Sequence, residues 1–167
     1  SDLKTLSAAI GQAENTFTPI QMASYMATLV NGGTRYKTYL VDRVESVDGK
    51  IITKTEPEIL DTIPIDPANH RALMDGMRAV VSNSYEGIYG TGSKYFKDFP
   101  IAVGGKTGTA QFKGHDPYAW FVSFAPFDDP EIAVAVVIGQ GGHASYASLV
   151  CRSIYEQYFE LEENVVQ

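Results

Sequence analysis

Lys106, Thr107, Gly108 and Thr109 form one tetrapeptide, entered through Gly104-Gly105 and followed by Ala110-Gln111. An ammonium group, two hydroxyls and a glycine within four residues suit the capture of a small carboxylate beside a reacting carbonyl. Lys106 supplies a compact positive charge, for an anion or for tuning a neighbouring hydroxyl. Thr107 and Thr109 can donate hydrogen bonds to the same anion. Gly108 carries no side chain to keep a substrate backbone away, so a peptide could add there as an extra strand. Nothing nearby supplies a nucleophile.

Two other readings compete at this level. Gly105-Lys106-Thr107 has the tail of a phosphate-binding loop. That motif needs a glycine where this chain has Pro100, and a helix directly after the Lys-Thr pair. Here Gly108 and its successors read as extended. A bare Lys-Thr-Gly is also compatible with a solvated lysine in a turn.

The elements that must position these residues belong to one domain, residues 1–167. An apolar fraction of 44% argues against disorder. Net charge is −7, from 13 basic and 20 acidic residues with no basic cluster, so a nucleic-acid surface is not expected. The single Cys151 excludes an internal disulfide and a cysteine-based zinc cage. No apolar run approaches the roughly 20 residues of a membrane span, and residues 1–4 show no signal-peptide pattern. Any targeting segment of a parent protein is expected outside this sequence.

Thr18-Pro19-Ile20-Gln21 reads as a capping box opening a helix, with Ile20, Ala23, Ala27 and Val30 at helical spacing and Asn31-Gly32-Gly33 as its stop. Residues 34–64 read as an insertion. It comprises a hairpin of 39–47 and 50–53 about a two-residue Asp48-Gly49 turn, then an irregular extended connector. Asp66-Pro67 opens a second helix with Leu73, Met77, Val80 and Val81 as its buried stripe, ending near Ser82-Asn83-Ser84. Residues 85–98, with Gly87, Gly90 and Gly92, read as a mobile loop. Strands follow at 101–103, 119–125 and 132–138, and the last two must be antiparallel because their link is too short for a crossover. Both are apolar on both faces, so helices should cover both sides of the sheet. Ala133 and Ala135 should admit a helix closely, the candidate being 144–158 with Ala147, Val150, Cys151, Ile154 and Tyr158 inward. The fold class is therefore α/β of the α+β type, an antiparallel sheet with helices on both faces.

The flanks of Lys106 carry a longer pattern. Phe99-Pro100-Ile101-Ala102-Val103-Gly104-Gly105-Lys106-Thr107-Gly108-Thr109-Ala110-Gln111 resembles the corresponding strand of class B penicillin-binding proteins. So does Ala119-Trp120-Phe121-Val122-Ser123-Phe124-Ala125-Pro126 with the apolar strand after it. Upstream, Ile10-Gly11-Gln12, Thr18-Pro19-Ile20-Gln21-Met22-Ala23 and Asn31-Gly32-Gly33 resemble that group's helix before its last motif. Lys-Thr-Gly is one of three signatures of these proteins and of serine β-lactamases, with Ser-x-x-Lys and Ser-x-Asn. Motif spacing and Gly141-Gly142-His143 suggest the elongation or sporulation type.

The resemblance implies the transpeptidase fold shared with serine β-lactamases, of which this chain is the carboxy-terminal part. It implies a parent D,D-transpeptidase, anchored by an amino-terminal segment on the extracytoplasmic face of the bacterial membrane and working with the cell-wall elongation machinery. Its ligands would be peptidoglycan stem peptides ending in D-Ala-D-Ala and the β-lactams that mimic them, with no cofactor and no metal. Lys106, Thr107 and Thr109, with Gln111 beside them, would hold the terminal carboxylate, and the Thr109 N–H would form half of the oxyanion hole. The sole Ser-x-x-Lys, Ser1-Asp2-Leu3-Lys4, sits at a frayed terminus without an apolar pattern and reads as coincidence; no Ser-x-Asn occurs. The rest of the domain, bearing the nucleophile, is thus the expected partner, and this chain alone should be inactive. A non-catalytic β-lactam sensor and a β-lactamase are the alternatives; the 34–64 insertion and the long match over residues 9–33 disfavour the latter.

The remaining candidates read as structural. His70 is an exposed helical residue, His115-Asp116 a loop rather than a metal pair, and His143 a cap for the last helix. Trp120 is core before it is a substrate platform, Cys151 an inert buried thiol, and Glu160 to Glu163 a solvated tail.

Overall fold

The two capped helices form where their signals lie. A computed structural model of the protein describes residues 2–12, 15–82, 88–112 and 114–161. Helix α1 spans Asp2–Ala9 and helix α2 spans Pro19–Val30. At the start of α2 the Gln21 N–H donates to Thr18 Oγ1 and the Thr18 N–H to Gln21 Oε1, a complete capping box. That α1 is helical corrects the reading of a frayed terminus; Ser1, the first residue of the Ser-x-x-Lys match, lies outside the described residues. The inward face of α2 is also rotated from expectation. Met22, Met26, Leu29 and Val30 face the sheet, while Ile20 and Ala27 are exposed.

The insertion contains two small antiparallel pairs. Strand β1 (Thr34–Tyr36) pairs with β4 (Ile59–Thr62), and β2 (Arg43–Glu45) with β3 (Ile51–Lys54). The expected connector therefore contains a strand. Gly33 makes this possible, because a Cβ there would meet the Ile63 carbonyl oxygen at 2.1 Å. The turn between β2 and β3 is one residue longer than predicted. Ser46 and Lys50 close it by backbone and side-chain bonds around Val47, Asp48 and Gly49, the last at φ 80°.

Helix α3 (Pro67–Val81) is capped by Asp66, whose carboxylate accepts from the Ala68 and Asn69 N–H groups. Met74, Met77 and Val81 are its buried residues; Leu73, expected inside, is exposed. The end of α3 falls at Val81 with Ser82 as its cap, and Asn83 and Ser84 lie outside the described residues. The region read as a mobile loop, of which 85–87 lie outside the described residues, contains the short helix α4 (Ser93–Phe96) with Ser93 and Phe96 buried. The Gly92 N–H donates to Val80 O, so the segment is tied to the end of α3.

The central sheet has the order β5-β6-β7, with β5 at Gly104–Phe112, β6 at His115–Ala125 and β7 at Ile132–Ile138, all antiparallel. Residues 101–103 precede the first strand rather than forming it, and β6 begins four residues before the predicted 119. The Lys-Thr-Gly triplet is therefore inside an edge strand. Helix α5 (Ser145–Tyr158) and α4 cover one face, over Val103, Phe121, Val134 and Val136. Helices α2 and α3 cover the other, over Val122, Phe124, Ala133 and Ala135. Two-sided coverage is as predicted, but the helix that uses the small residues Ala133 and Ala135 is α2, not the carboxy-terminal one. The inward stripe of α5 is Ala147, Ser148, Cys151 and Tyr155, leaving Val150, Ile154 and Tyr158 partly solvent-exposed.

Candidate active site

Strand β5 reaches its position through glycines. A Cβ on Gly104 would lie 2.3 Å from Phe124 Cζ, and one on Gly105 would lie 2.6 Å from Phe121 Cζ. The two rings belong to opposite core layers. Bare backbone at 104 and 105 thus lets both layers close on the strand. Arg78 of α3 donates to Val103 O at 3.2 Å and the Phe127 N–H donates to Ala102 O at 2.7 Å, fixing the approach to the strand.

Register then sorts the signature residues. Lys106 stands opposite Val122 and Gly108 opposite Trp120; Thr107 stands opposite Phe121 and Thr109 opposite Ala119. Val122 belongs to the layer under α2 and α3, Phe121 and Ala119 to the layer under α5. Because side chains alternate along a strand, Lys106 and the two threonines project from opposite faces. One anion can meet both only at the open edge of β5. The Lys106 ammonium donates to Thr107 O at 2.6 Å, and the Thr107 and Thr91 hydroxyl oxygens are 2.7 Å apart.

Residues Lys106 to Ala110 line an open cavity of about 330 Å³, faced by Trp120, Val122, Met22, Phe17 and Ile10. Trp120, read as core, is a half-buried wall of this cavity. Only the register of β5 on β6 reveals that, since it sets Trp120 across from Gly108. Gln111 lies at the far end of β5, exposed, with its N–H directed to Gln12 Oε1. Gln12 also donates from Nε2 to Thr109 O at 3.0 Å. A strand residue's N–H and C=O point to the same side, so the Thr109 N–H faces the open edge as well. Neither Gln12 nor Thr91 stood out by residue type, since both act from turns far away in sequence.

The other candidates fall outside this cavity. His70 is half-buried rather than exposed, its Nε2 2.8 Å from Leu29 O, so it joins α3 to α2. The N-cap of α5 is Ala144 rather than His143, which lies one residue earlier and whose Nδ1 accepts from the Ser145 N–H at 3.2 Å. His115 and Asp116 open β6 as exposed strand residues rather than a loop, and among the described residues no cluster of three metal-ligating side chains forms. Cys151 is fully buried; its Sγ is 2.9 Å from Ser123 Oγ, which accepts from the Tyr155 hydroxyl at 2.8 Å. Burial pushes the Cys151 thiol up to about 11, the pattern of an inert group. Of the acidic tail, Glu160 is exposed, and Glu162 and Glu163 lie outside the described residues.

An antiparallel sheet between helical layers, with Lys-Thr-Gly-Thr on its open edge, defines a transpeptidase-like domain. Residues 1–160 match the family model of the penicillin binding protein transpeptidase domain, and the chain belongs to that family. It is 32% identical to the peptidoglycan D,D-transpeptidase MrdA of Haemophilus influenzae, over 92% of this chain and 25% of that protein. The crystal structure of Pseudomonas aeruginosa PBP2 in complex with WCK 5153 superposes with a TM-score of 0.74 at 33% identity, covering 96% of this chain and 34% of that one. The imipenem acyl-enzyme complex of penicillin-binding protein A from M. tuberculosis gives 0.75 at 27% identity, covering 92% and 33%. The chain spans about a quarter of the length of the curated relatives it matches.

Proposed function

We propose that this chain forms one wall of the active site of a serine-type D,D-transpeptidase that cross-links peptidoglycan. The observation that carries the reading is the edge strand itself. Its Lys106-Thr107-Gly108-Thr109 stretch lines an open cavity, with the Thr109 N–H directed outward and Gly108 leaving room for a peptide backbone.

In this reading the donor stem peptide lies along β5 with its D-Ala carboxylate at the edge, among Lys106, Thr107 and Thr109, and with Gln111 beyond. The Thr109 N–H and the N–H of the nucleophilic serine stabilise the oxyanion; one such donor is worth roughly 3 kcal/mol of barrier. The serine attacks the penultimate carbonyl, terminal D-Ala leaves, and an amine from a neighbouring strand resolves the acyl-enzyme. The serine and the Ser-x-Asn motif belong to the rest of the domain, outside this sequence. A β-lactam carries the same carboxylate and an acylating carbonyl, and the M. tuberculosis neighbour described as an imipenem acyl-enzyme supports that ligand class. The substrate lies outside the cytoplasmic membrane, which favours action on that face by an anchored parent; motif spacing and Gly141-Gly142-His143 favour an elongation- or sporulation-type setting.

Co-expression with the parent's amino-terminal portion, followed by labelled penicillin, tests the reading. The reassembled domain should form a covalent adduct on the portion bearing the serine, and this chain alone should form none. An adduct on the isolated chain, or none on the reassembled domain at saturating label, would overturn it.

A further inference from the structure

Gln12 holds the open edge of β5 by a two-handed contact. Its carboxamide donates to Thr109 O at 3.0 Å and accepts from the Gln111 N–H at 3.4 Å. A neighbouring parallel strand would meet one carbonyl and the N–H two residues further on in the same way. The Gln12 side chain therefore replaces one residue of an absent strand. Its own backbone is fixed: the Gln12 N–H donates to Ser7 O at 2.9 Å and the Gly11 N–H to Ala8 O at 3.0 Å, both on α1.

We infer that Gln12 is a positioning residue for the Thr109 N–H, acting by locking the two peptide planes that follow it. This rests on the reading of Thr109 as an oxyanion donor. The need for a clamp follows from the residues around that donor. Gly108, directly before it, has the widest backbone freedom of any residue, and a Cβ there would touch only Trp120 Cβ, at 3.2 Å. β5 lies at the edge of its sheet, and among the described residues no strand holds its outward peptide groups. Gln12 is the side chain that holds Thr109 O and the Gln111 N–H on that side. A donor aimed at developing charge is effective only when it is held in place beforehand.

The test has two arms. In the isolated chain, amide hydrogen exchange at Gln111 is compared among wild type, Gln12→Met, which removes both bonds at similar volume, and Gln12→Glu, which keeps only the acceptor. Gln12→Met should speed exchange at Gln111 about tenfold or more, as for an edge amide released to solvent, while Gln12→Glu should keep most of the protection. Unchanged exchange in Gln12→Met would show that the clamp does not hold. In the reassembled domain, labelled-penicillin acylation is resolved into a non-covalent Kd and an acylation rate. Both variants should lower the rate at least about tenfold, short of the ~10²–10³-fold lost with a whole oxyanion donor, and leave Kd within about twofold. Equal rates with an intact wild-type adduct would overturn the role of Gln12 alone. Failure of wild type to acylate would overturn the functional reading and this role with it.

Discussion

The hydroxyls of Thr91 and Thr107 meet at 2.7 Å and join the turn before α4 to the middle of β5. Thr91 is held by its neighbours. Gly92 donates to Val80 O, and a Cβ on Gly90 would collide with the Ala79 and Val80 carbonyl oxygens at 2.3 Å. The turn thus sits against the end of α3, and Thr91 presents a fixed oxygen to Thr107. If Thr91 donates, the Thr107 proton is left to point at an anion on the strand edge.

Thr91→Val should therefore cost little stability, about 0.5–1.5 kcal/mol for one exposed hydrogen bond. It should weaken carboxylate capture in the reassembled domain several-fold. Thr91→Ser should restore it, because the hydroxyl returns. Labelled-penicillin titration of the two variants reads this directly, and equal affinity for valine and serine would remove Thr91 from the site.

Gly104 and Gly108 separate folding from function within one strand. Gly104→Ala drives a methyl into the buried Phe124 ring, so a loss of about 1–3 kcal/mol is expected from overpacking. Gly108→Ala meets only Trp120 Cβ at 3.2 Å and should cost under about 1 kcal/mol, while obstructing a peptide laid on the edge. Urea unfolding of both variants, set beside acylation, distinguishes them. The idea fails if Gly108→Ala unfolds as readily as Gly104→Ala.

What the sequence disclosed follows from how local each signal is. The caps at Thr18 and Asp66 are written within four residues, and both helices start where those residues stand. The helix faces were less legible. Around Leu73-Met74 and Val150-Cys151, apolar residues sit side by side, and only the packed sheet decides which turns inward. In the insertion the β2–β3 hairpin was legible from its Asp48-Gly49 turn, whereas β1 and β4 pair across that hairpin and are largely exposed, so no local pattern announces them. In the site, the Lys106 motif was legible because its residues are contiguous. Trp120, Thr91 and Gln12 join it through strand register and loop closure, which residue types do not encode.

Lys106 is exposed, and its ammonium is engaged by a backbone carbonyl, Thr107 O. Lys106→Gln should leave stability within about 0.5 kcal/mol, as for most surface substitutions. Capture of an anionic β-lactam should fall about tenfold or more and lose most of its salt dependence, since exposed charge interactions are screened at physiological ionic strength. Measuring Kd at low and high salt for both proteins separates charge from shape. Equal salt slopes would place the anion elsewhere.

The buried Ser123, Cys151 and Tyr155 cluster predicts how the fold responds to alkali. Burial raises the Cys151 thiol from its ordinary 9.0 to about 11, and burial together with the adjacent thiol holds the Tyr155 phenol well above its ordinary 10.0. Both groups are neutral in the fold, and each ionises more readily in the unfolded chain. Between the unfolded and folded values the native state holds more protons, so stability falls as pH rises. The cysteine contribution is complete below about 9 and is lost towards about 11. The gap between those two values bounds it at roughly 2–3 kcal/mol. Thermal unfolding from pH 8 to 11 should therefore show a falling midpoint, with a shallower decline in Cys151→Ala on its lower baseline. At pH 8 iodoacetamide should modify Cys151 only as fast as the protein opens. Rapid labelling of the folded chain, or a midpoint flat to pH 11, would show that the cluster is not sealed from solvent.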